Sequence, residues 1–449
     1  MNLSQINNVY FIGIGGIGMS NLARYFKNLG KQVCGYDKTP SVLTSELIES
    51  GISIHFEDVI NLIPKDFYTE NTLVIITPAV PSTHSQWNFF LERDYVIKKR
   101  AEVLGLITKD TFCFAVAGTH GKTTTSGILG HILNESGADV TAFIGGIVEN
   151  YNSNLIGSGK TITVVEADEF DRSFLHLYPN IACITSMDAD HLDIYGTSEA
   201  IEKSFLEFAD KIIDKRNLFI TKELAIEGVV CAVNEDAIYK AFNVRVGNGS
   251  YIFDVQTPKL VLKDLHFGLP GRHNLMNALM AIAMADLFGT PTDAIAKAIA
   301  SFKGIKRRFS YQIKTNDKIY IDDYAHHPTE INAVHQAVTE LYPREKVLAI
   351  FQPHLFSRTR DFAEDFAASL SQFDEVILLD IYPAREQPME GITSQWLMDK
   401  MTNNCKKLVL KNDLVAAILQ SDAKVVVTIG AGDIGELVPT IKKAINENL

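Results

Sequence analysis

Residues 112–125 combine an apolar run with glycines, a lysine and threonines, the residue types that bind phosphate. The apolar residues 112–117 lead into Gly118-Thr119-His120-Gly121-Lys122-Thr123, and a helical pattern follows from Thr124. A glycine-rich turn that opens a helix directs backbone N–H groups and the positive end of the helix dipole to one point. Lys122 adds a cation, and Thr123 adds a hydroxyl that can bind Mg²⁺. The segment predicts a nucleoside triphosphate site, with a purely structural strand–turn–helix as the alternative.

A second glycine-rich turn follows the first apolar strand. It reads Gly13-Ile14-Gly15-Gly16-Ile17-Gly18, and Asp37 ends the next strand-like run. This order of strand, glycine turn and helix fits a diphosphate at a helix N-terminus. The residues alone leave NAD, FAD and UDP-sugars open as ligands, and a structural glycine turn as the alternative.

Acidic groups follow two other apolar strands. Glu166, Asp168, Glu169 and Asp171 come after residues 162–165, and His191 lies among three aspartates in residues 188–193. In a parallel sheet these positions share an edge with the phosphate loop, so Glu166 or Asp168 can reach Mg²⁺, with a solvated acidic loop as the alternative. His191 is either a metal ligand or the partner of a carboxylate.

The C-terminal third gathers further ionisable groups where strands end. Arg307-Arg308-Phe309 lies at a junction, where a basic pair either binds phosphate or is simply solvated. Residues 322–328 read DDYAHHP, and residues 353–360 place His354 and Arg358 after an apolar strand. Arginine binds carboxylates through two parallel hydrogen bonds, so this segment predicts a carboxylate site.

The elements that must position these groups alternate between strand and helix. We therefore predict three α/β domains in series: a Rossmann-like domain at 1–103, a P-loop ATPase-like domain at 104–305 and a second Rossmann-like domain at 306–449. A net charge of −12 without a basic stripe argues against nucleic-acid binding. Five scattered cysteines and an N-terminus without a basic leader favour a cytoplasmic protein that does not enter a membrane.

Taken together, these motifs resemble the Mur ligase family. The resemblance rests on ten segments in order: residues 13–20, 118–125, 166–171, 188–193, 271–278, 307–309, 322–330, 352–359, 380–386 and 430–433. It implies the ATP-dependent ligation of L-alanine to the carboxylate of UDP-N-acetylmuramate through an acyl phosphate, a step of cell-wall precursor synthesis. The first domain would hold the UDP-sugar, the second ATP, and the third would close and bind the amino acid.

The resemblance also implies a role for each matched residue. The diphosphate loop would be Gly13, Gly15, Gly16 and Gly18, with Asp37. The ATP contacts would be Gly118, Thr119, His120, Gly121, Lys122, Thr123, Thr124, His273, Asn274, Asn277, Arg308 and Asp323. The Mg²⁺ ligands would be Thr123, Glu166 and His191, and the alanine pocket would contain Tyr324, His326, His354 and Arg358. Lys122, His191, His326 and His354 are the candidate catalytic residues, with either His326 or His354 as general base.

Two departures from the family pattern and three alternatives stay open. The helix near Phe205 and Leu206 lacks the lysine that several relatives carbamylate, and Leu355 stands where some members have arginine. A ligase of the same family that attaches a ready-made tripeptide is the nearest alternative. A nicotinamide-dependent oxidoreductase is a remote one, and the third is a nucleotide-switch or scaffold protein without transfer chemistry. The expected partners are small-molecule substrates only, and the chain is expected to be a monomer or a homodimer.

Overall fold

The computed structural model describes residues 3–188, 195, 197–247, 250–384 and 386–448. These residues form three α/β domains, each built on a sheet of mostly parallel strands, which confirms the predicted fold class. By contacts the chain divides into two compact units. Unit 1 contains Met1–Arg245, Ile252–Gly268 and Met276–Lys303, and unit 2 contains Val246–Tyr251, Leu269–Leu275 and Gly304–Leu449. The domain bounds at 103/104 and 305/306 stay predictions.

The first sheet is parallel throughout, in the order β3-β2-β1-β4-β5. Its strands are β1 Asn8–Ile12, β2 Gln32–Tyr36, β3 Ser53–His55, β4 Thr72–Ile76 and β5 Val96–Lys99. Its helices are α1 Ile17–Asn28, α2 Val42–Glu49, α3 Ser85–Leu91 and α4 Arg100–Lys109. Every residue of β1 and β4 is buried, as expected of apolar runs covered on both faces.

The central sheet has the order β15-β14-β13-β12-β11-β10-β6-β9-β7-β8 within the described residues. Its strands are β6 Phe112–Ala117, β7 Val140–Val148, β8 Ser153–Gly157, β9 Ile162–Ala167, β10 Ile181–Ile184, β11 Leu218–Thr221, β12 Val229–Val233, β13 Tyr239–Gly247, β14 Ser250–Gln256 and β15 Val261–Phe267. The helices that follow along the chain are α5 Lys122–Glu135, α6 Ser198–Asp210, α7 Arg272–Phe288 and α8 Thr292–Ser301. Strand β6 pairs in parallel with β9 and β10, so the loops after these three strands meet at one edge.

The third sheet has the order β16-β17-β21-β18-β19-β20. Its strands are β16 Ser310–Lys314, β17 Ile319–Asp323, β18 Val347–Phe351, β19 Glu375–Leu378, β20 Lys406–Leu408 and β21 Val425–Ile429. Its helices are α9 Pro328–Leu341, α10 Phe356–Asp361, α11 Ala363–Leu370, α12 Ser394–Lys400, α13 Leu414–Leu419 and α14 Ile434–Glu447. Strands β16 and β17 pair in antiparallel fashion as a hairpin, and the other strands pair in parallel.

Residues 278–288 form the largely apolar C-terminal part of α7. Asp286 within it is buried and accepts a hydrogen bond of 2.8 Å from Tyr239 Oη. In the described part of the chain, no helix has both the length and the apolar composition needed to cross a membrane.

The first and central domains share one hydrophobic core in unit 1. Met19 and Phe26 of α1 belong to the same buried cluster as Phe143 of β7 and Leu155 of β8. Tyr25 adds a ring contact with Phe143 at 5.2 Å between centroids. The helix that follows the first glycine turn is therefore packed directly against the domain that carries the second.

A buried asparagine fixes the first turn of α1 to β8. Asn154 is inaccessible to solvent, and its Nδ2 donates to Ile17 O at 2.7 Å and to Ser20 Oγ at 2.8 Å. Because a buried polar group without a partner costs free energy, these two bonds favour one position of α1 on the hairpin β7–β8.

We expect Asn154→Ala to lower the free energy of unfolding by roughly 1–3 kcal/mol, because Ile17 O and Ser20 Oγ lose a buried donor. Urea denaturation measures the change, and Asn71→Ala, at an exposed position, is the control. Equal stability of the two variants would show that the Asn154 bonds do not hold α1 in place.

Candidate active site

The predicted phosphate loop turns between β6 and α5 on two glycines with positive φ. Gly118 has φ +131° and Gly121 has φ +82°, values that side chains disfavour. A Cβ at Gly118 would overlap Thr185 Oγ1, so the absence of a side chain there also permits a close approach of β10. Both glycines are therefore required by the path of the backbone.

The end of β10 holds the loop from the side. Thr119 N donates to Ser186 O at 3.2 Å, and His120 N donates to Ser186 Oγ at 2.9 Å. Thr185 Oγ1 donates to His120 O. His120 Nε2 lies 3.2 Å from Asp188 Oδ2. Four of the loop's backbone and side-chain groups are thus fixed before any ligand arrives.

Lys122 begins α5 and lies against a buried carboxylate. Its Nζ donates to Glu169 Oε1 at 2.9 Å and to Glu169 Oε2 at 2.8 Å, and Glu169 is only 2% exposed. It also donates to Gly118 O at 2.5 Å. Burial lowers the pKa of Lys122, but the carboxylates of Glu169, Asp168 and Glu166 outweigh it, so the pKa is raised. The lysine is a fixed ammonium at the loop.

Glu166, in β9, faces the start of α5. Its Oε2 accepts from Thr123 Oγ1 at 3.1 Å, and its Oε1 accepts from Ser126 Oγ at 3.3 Å and Gly145 N at 2.5 Å. A Cβ at Gly145 would lie 2.6 Å from Oε2, so a side chain there would make this carboxylate shift.

The residues predicted to bind Mg²⁺ fit a hard cation in part. The structure brings the Thr123 hydroxyl and the Glu166 carboxylate together, and these are oxygen ligands of the kind that Mg²⁺ takes beside phosphates and water. Among the described residues, no group of three or more His, Cys, Asp or Glu side chains forms a metal site. His191 lies outside the described residues, so its predicted role as a ligand stays a prediction.

The predicted diphosphate loop joins β1 to α1. Gly13 has φ +89°, and Gly16 is the residue before the first helical position. Gly15 N donates to Asp37 Oδ2 at 2.7 Å, so Asp37 holds the loop itself. Gly18 lies in the first turn of α1, against the guanidinium of Arg100.

The predicted nucleotide residues outside the loop divide between the two units. Asn277, in unit 1, lies against Gly121: a Cβ there would be 2.5 Å from Asn277 Oδ1. Thr124 is buried in the first turn of α5. His273 and Asn274 belong to unit 2, where Asn274 Nδ2 donates to Pro270 O at 2.7 Å. Burial lowers the pKa of His273 to about 4, so its ring is neutral at pH 7.

Arg308 and Asp323 also belong to unit 2, where Arg308 lies on a turn and Asp323 holds that turn by hydrogen bonds. Asp323 accepts from Phe309 N at 2.6 Å and Ala325 N at 2.7 Å, which fixes the turn that carries Arg308. Burial raises the pKa of Asp323 to about 7 against these bonds. Arg307 and Phe309, on either side of Arg308, have φ of +62° and +50°. Arg307 pairs with Asp322 at 3.1 Å and donates to Gly430 O at 2.6 Å, so it is the inward member of the pair.

The four residues predicted for the alanine pocket are brought together. The ring of His326 lies 5.5 Å from that of Tyr324 and 6.1 Å from that of His354, between centroids. Arg358 Nη1 lies 3.5 Å from His354 Nδ1. Leu355, which lies between His354 and Arg358 in the sequence, has φ +70°, and its N–H donates to Tyr382 O at 2.9 Å. Their binding roles stay predictions.

Several residues of the site received no individual role from the sequence. They are Ser126 and Gly145 around the phosphate loop, Thr185 and Ser186 after β10, Arg100 at the diphosphate loop, and Glu330 and Tyr382 around His326 and His354. Glu169 was predicted only as one of four acidic groups after β9, and its pairing with Lys122 was not predicted. Glu330 and Tyr382 lie inside the motifs at residues 322–330 and 380–386, and that position was the available signal. No sequence pattern marks Gly145, whose role follows from contact with Glu166 alone.

Family models match most of the chain in three consecutive segments. A model described as "Mur ligase family, catalytic domain" matches residues 8–111, "Mur ligase middle domain" matches residues 116–285, and "Mur ligase, glutamate ligase domain" matches residues 307–432. The three matches follow one another in the order of the three sheets.

Individual proteins are similar over the full length. A UDP-N-acetylmuramate–L-alanine ligase of Flavobacterium johnsoniae is 78% identical over 449 residues, covering 100% of both chains. The crystal structure of the UDP-N-acetylmuramate–alanine ligase of Thermotoga maritima matches with TM-score 0.82 and 27% identity, covering 98% of this chain and 100% of that one. A murein peptide ligase of Psychrobacter arcticus matches with TM-score 0.68 at 21% identity, covering 98% of each chain, which shows the shared fold.

We expect Lys122→Ala to abolish turnover, because the loop loses its fixed cation. The variant also leaves Glu169 buried without its main partner, and breaking such a pair costs roughly 3–5 kcal/mol. Adding Glu169→Gln to Lys122→Ala should restore much of the stability and none of the turnover. Phosphate release and urea denaturation measure the two effects; near-normal phosphate release by either variant would contradict the phosphate-site assignment.

Proposed function

The chain belongs to the Mur ligase family, and on that premise we propose that it joins L-alanine to the carboxylate of UDP-N-acetylmuramate while ATP is converted to ADP and phosphate. The observation that carries this proposal is the 78% identity, over every residue of both chains, to a UDP-N-acetylmuramate–L-alanine ligase. The chain is accordingly an ATP-dependent ligase of peptidoglycan precursor synthesis. The same observation favours this reading over the tripeptide ligase and the nicotinamide-dependent oxidoreductase.

The chemistry explains why an ATP-dependent enzyme is needed. A carboxylate does not acylate an amine at neutral pH, because its oxygen is a poor leaving group. Transfer of a phosphoryl group to that oxygen gives an acyl phosphate, the amine adds to the carbonyl carbon, and phosphate departs. None of these steps requires a nucleophile from the protein, so the protein's contribution is positioning and neutralisation of charge.

The residues of unit 1 suit the phosphoryl transfer. The backbone N–H groups at the start of α5 and the Lys122 ammonium favour the phosphates of ATP. Glu169 keeps that ammonium charged and in place through two hydrogen bonds, at 2.9 and 2.8 Å. Thr123 and Glu166 would hold Mg²⁺, which neutralises charge on the phosphates when it is bound. The glycine turn from Gly13 to Gly18 would hold the diphosphate of the UDP-sugar.

The residues of unit 2 suit recognition of the amino acid and removal of its proton. His326 Nδ1 faces two acceptors, Tyr324 O at 3.0 Å and Glu330 Oε2 at 3.3 Å, so in the neutral ring this nitrogen carries the proton and Nε2 carries the lone pair. His354 Nδ1 faces the Arg358 guanidinium, which can only donate, so its neutral ring has the opposite tautomer. We therefore assign His326 as general base for the amine and Arg358 as the partner of the amino acid's carboxylate.

The free cysteines support a cytoplasmic setting. Cys34, Cys113, Cys183 and Cys231 are buried free thiols, and Cys405 is exposed. Five free cysteines with no disulfide among the described residues suit a reducing compartment, where ATP is also supplied. Whether the chain acts as a monomer or a homodimer stays a prediction from the sequence.

The proposal is tested by offering the purified protein ATP, Mg²⁺ and UDP-N-acetylmuramate with either L-alanine or the murein tripeptide, and measuring phosphate release and the coupled product. We expect turnover with L-alanine and little with the tripeptide. The reverse preference would assign the chain to the tripeptide ligases, and phosphate release without either amine would indicate a nucleotide hydrolase.

We expect Arg358→Ala to raise the KM for L-alanine by about 30-fold, which corresponds to roughly 2 kcal/mol for a lost charge-assisted hydrogen bond. The KM for ATP should change little. Arg360→Ala is the matched control, because Arg360 lies on the same helix and pairs with Asp361 at 2.7 Å on the surface. Equal increases of both KM values in Arg358→Ala would contradict the carboxylate role.

A further inference from the structure

Arg100 is a basic residue at the diphosphate loop to which neither the motifs nor the family resemblance assigns a role. It opens α4 directly after β5, and its side chain lies against the first turn of α1. A Cβ at Gly18 would lie 2.5 Å from Arg100 Nη1 and 3.0 Å from its Cδ and Cζ. Gly18 therefore has a specific physical function, since any side chain there would displace the guanidinium from the loop.

The other side of the guanidinium faces the edge of the central sheet. Arg100 Nη2 donates to Asp168 Oδ2 at 3.2 Å, and the side chains are 30% and 37% exposed. Asp168 is itself fixed, because its Oδ1 accepts from Phe170 N at 3.1 Å. Arg100 thus lies between the glycine turn of the first domain and the acidic segment that contains Glu166 and Glu169.

The electrostatics of the loop call for such a cation. Asp37 brings a carboxylate to the turn and takes the N–H of Gly15 at 2.7 Å, so this donor is already occupied. A helix N-terminus carries only about half a positive charge, less than the charge of a diphosphate. A guanidinium supplies a full charge and five N–H donors in a fork that matches phosphate oxygens. Among the described residues, Asp168 accepts a hydrogen bond from one of the Arg100 donors.

Three other basic side chains of the first domain have partners away from the glycine turn. Arg24 of α1 pairs with Glu46 at 2.8 Å, and Lys98 pairs with Glu102 at 2.9 Å. Lys27 donates to Gly51 O at 3.0 Å. Arg100, by contrast, contacts the glycine turn itself.

We propose that Arg100 is a binding residue for the diphosphate of the UDP-sugar and that Asp168 is a positioning residue that orients its guanidinium. The inference rests on the proposed function, because it assumes that the first domain holds a UDP-linked substrate. It extends that function by adding a side-chain donor to a site otherwise formed by glycine backbone and a helix end.

The test measures binding of UDP, UDP-N-acetylmuramate and ATP to the full chain by isothermal titration calorimetry. We expect Arg100→Ala to weaken UDP and UDP-N-acetylmuramate about tenfold or more and to leave ATP within about twofold. Arg100→Lys should recover only part of the loss, because a lysine lacks the planar fork. Asp168→Asn should weaken UDP binding less than Arg100→Ala does. Arg24→Ala, on α1 and equally paired with a carboxylate, is the control and should bind UDP normally.

The outcomes separate the possible failures. If the wild-type chain binds neither UDP nor the UDP-sugar, the proposed function itself is wrong. If the wild type binds both and Arg100→Ala binds UDP normally, only the role of Arg100 is wrong. A loss confined to UDP-N-acetylmuramate would place the guanidinium at the sugar acid and overturn the diphosphate assignment. A loss shared by ATP would show a structural role, and Arg100→Lys serves if the alanine variant does not fold.

Discussion

The ion pair between Lys122 and Glu169 is the interaction around which the phosphate site is arranged. A charge removed from water is tolerated only with a close partner of opposite sign, and Glu169, at 2% exposure, has such a partner in Lys122. The glycines of the loop let the chain turn tightly enough to bring carbonyl oxygens to the same ammonium, as Gly118 O does at 2.5 Å. Strand β9, which leads to Glu169, and helix α5, which begins with Lys122, are thereby linked at the sheet edge where Glu166 also lies.

The first and central domains share one hydrophobic core, and this core fixes the position of one glycine turn relative to the other. Packing of α1 against β7 and β8, together with the buried bonds of Asn154, places the two glycine turns in one compact unit, unit 1. A UDP-sugar and a triphosphate bound at these turns would not depend on a flexible linker for their separation. Such an arrangement suits a reaction in which catalysis consists mainly of positioning.

The sequence predicted the turns and strand ends well because their signals are local. Glycine spacing after an apolar strand identified both loops, and the clustering of Tyr324, His326, His354 and Arg358 follows from strands that end at one edge of a parallel sheet. The spacing of residues could not predict which of two neighbouring charged side chains makes the buried ion pair. Residues 307–309 form a turn in which Arg307 and Phe309 have positive φ. This turn directs Arg307, rather than Arg308, to the buried carboxylate of Asp322. Likewise Glu169 rather than Asp168 pairs with Lys122, and Arg100 reaches the first loop from a distant position in the chain.

Because Gly145 has no side chain, its backbone approaches the Glu166 carboxylate closely, and this affects which substitutions residue 145 tolerates. Its N–H donates to Glu166 Oε1 at 2.5 Å, and a Cβ at this residue would lie 2.6 Å from Glu166 Oε2. A side chain at residue 145 would therefore make the carboxylate shift, and the shift would disturb its contact with Thr123. An inhibitor that contacts the backbone of residue 145 would meet a position where substitution also disturbs this acidic group.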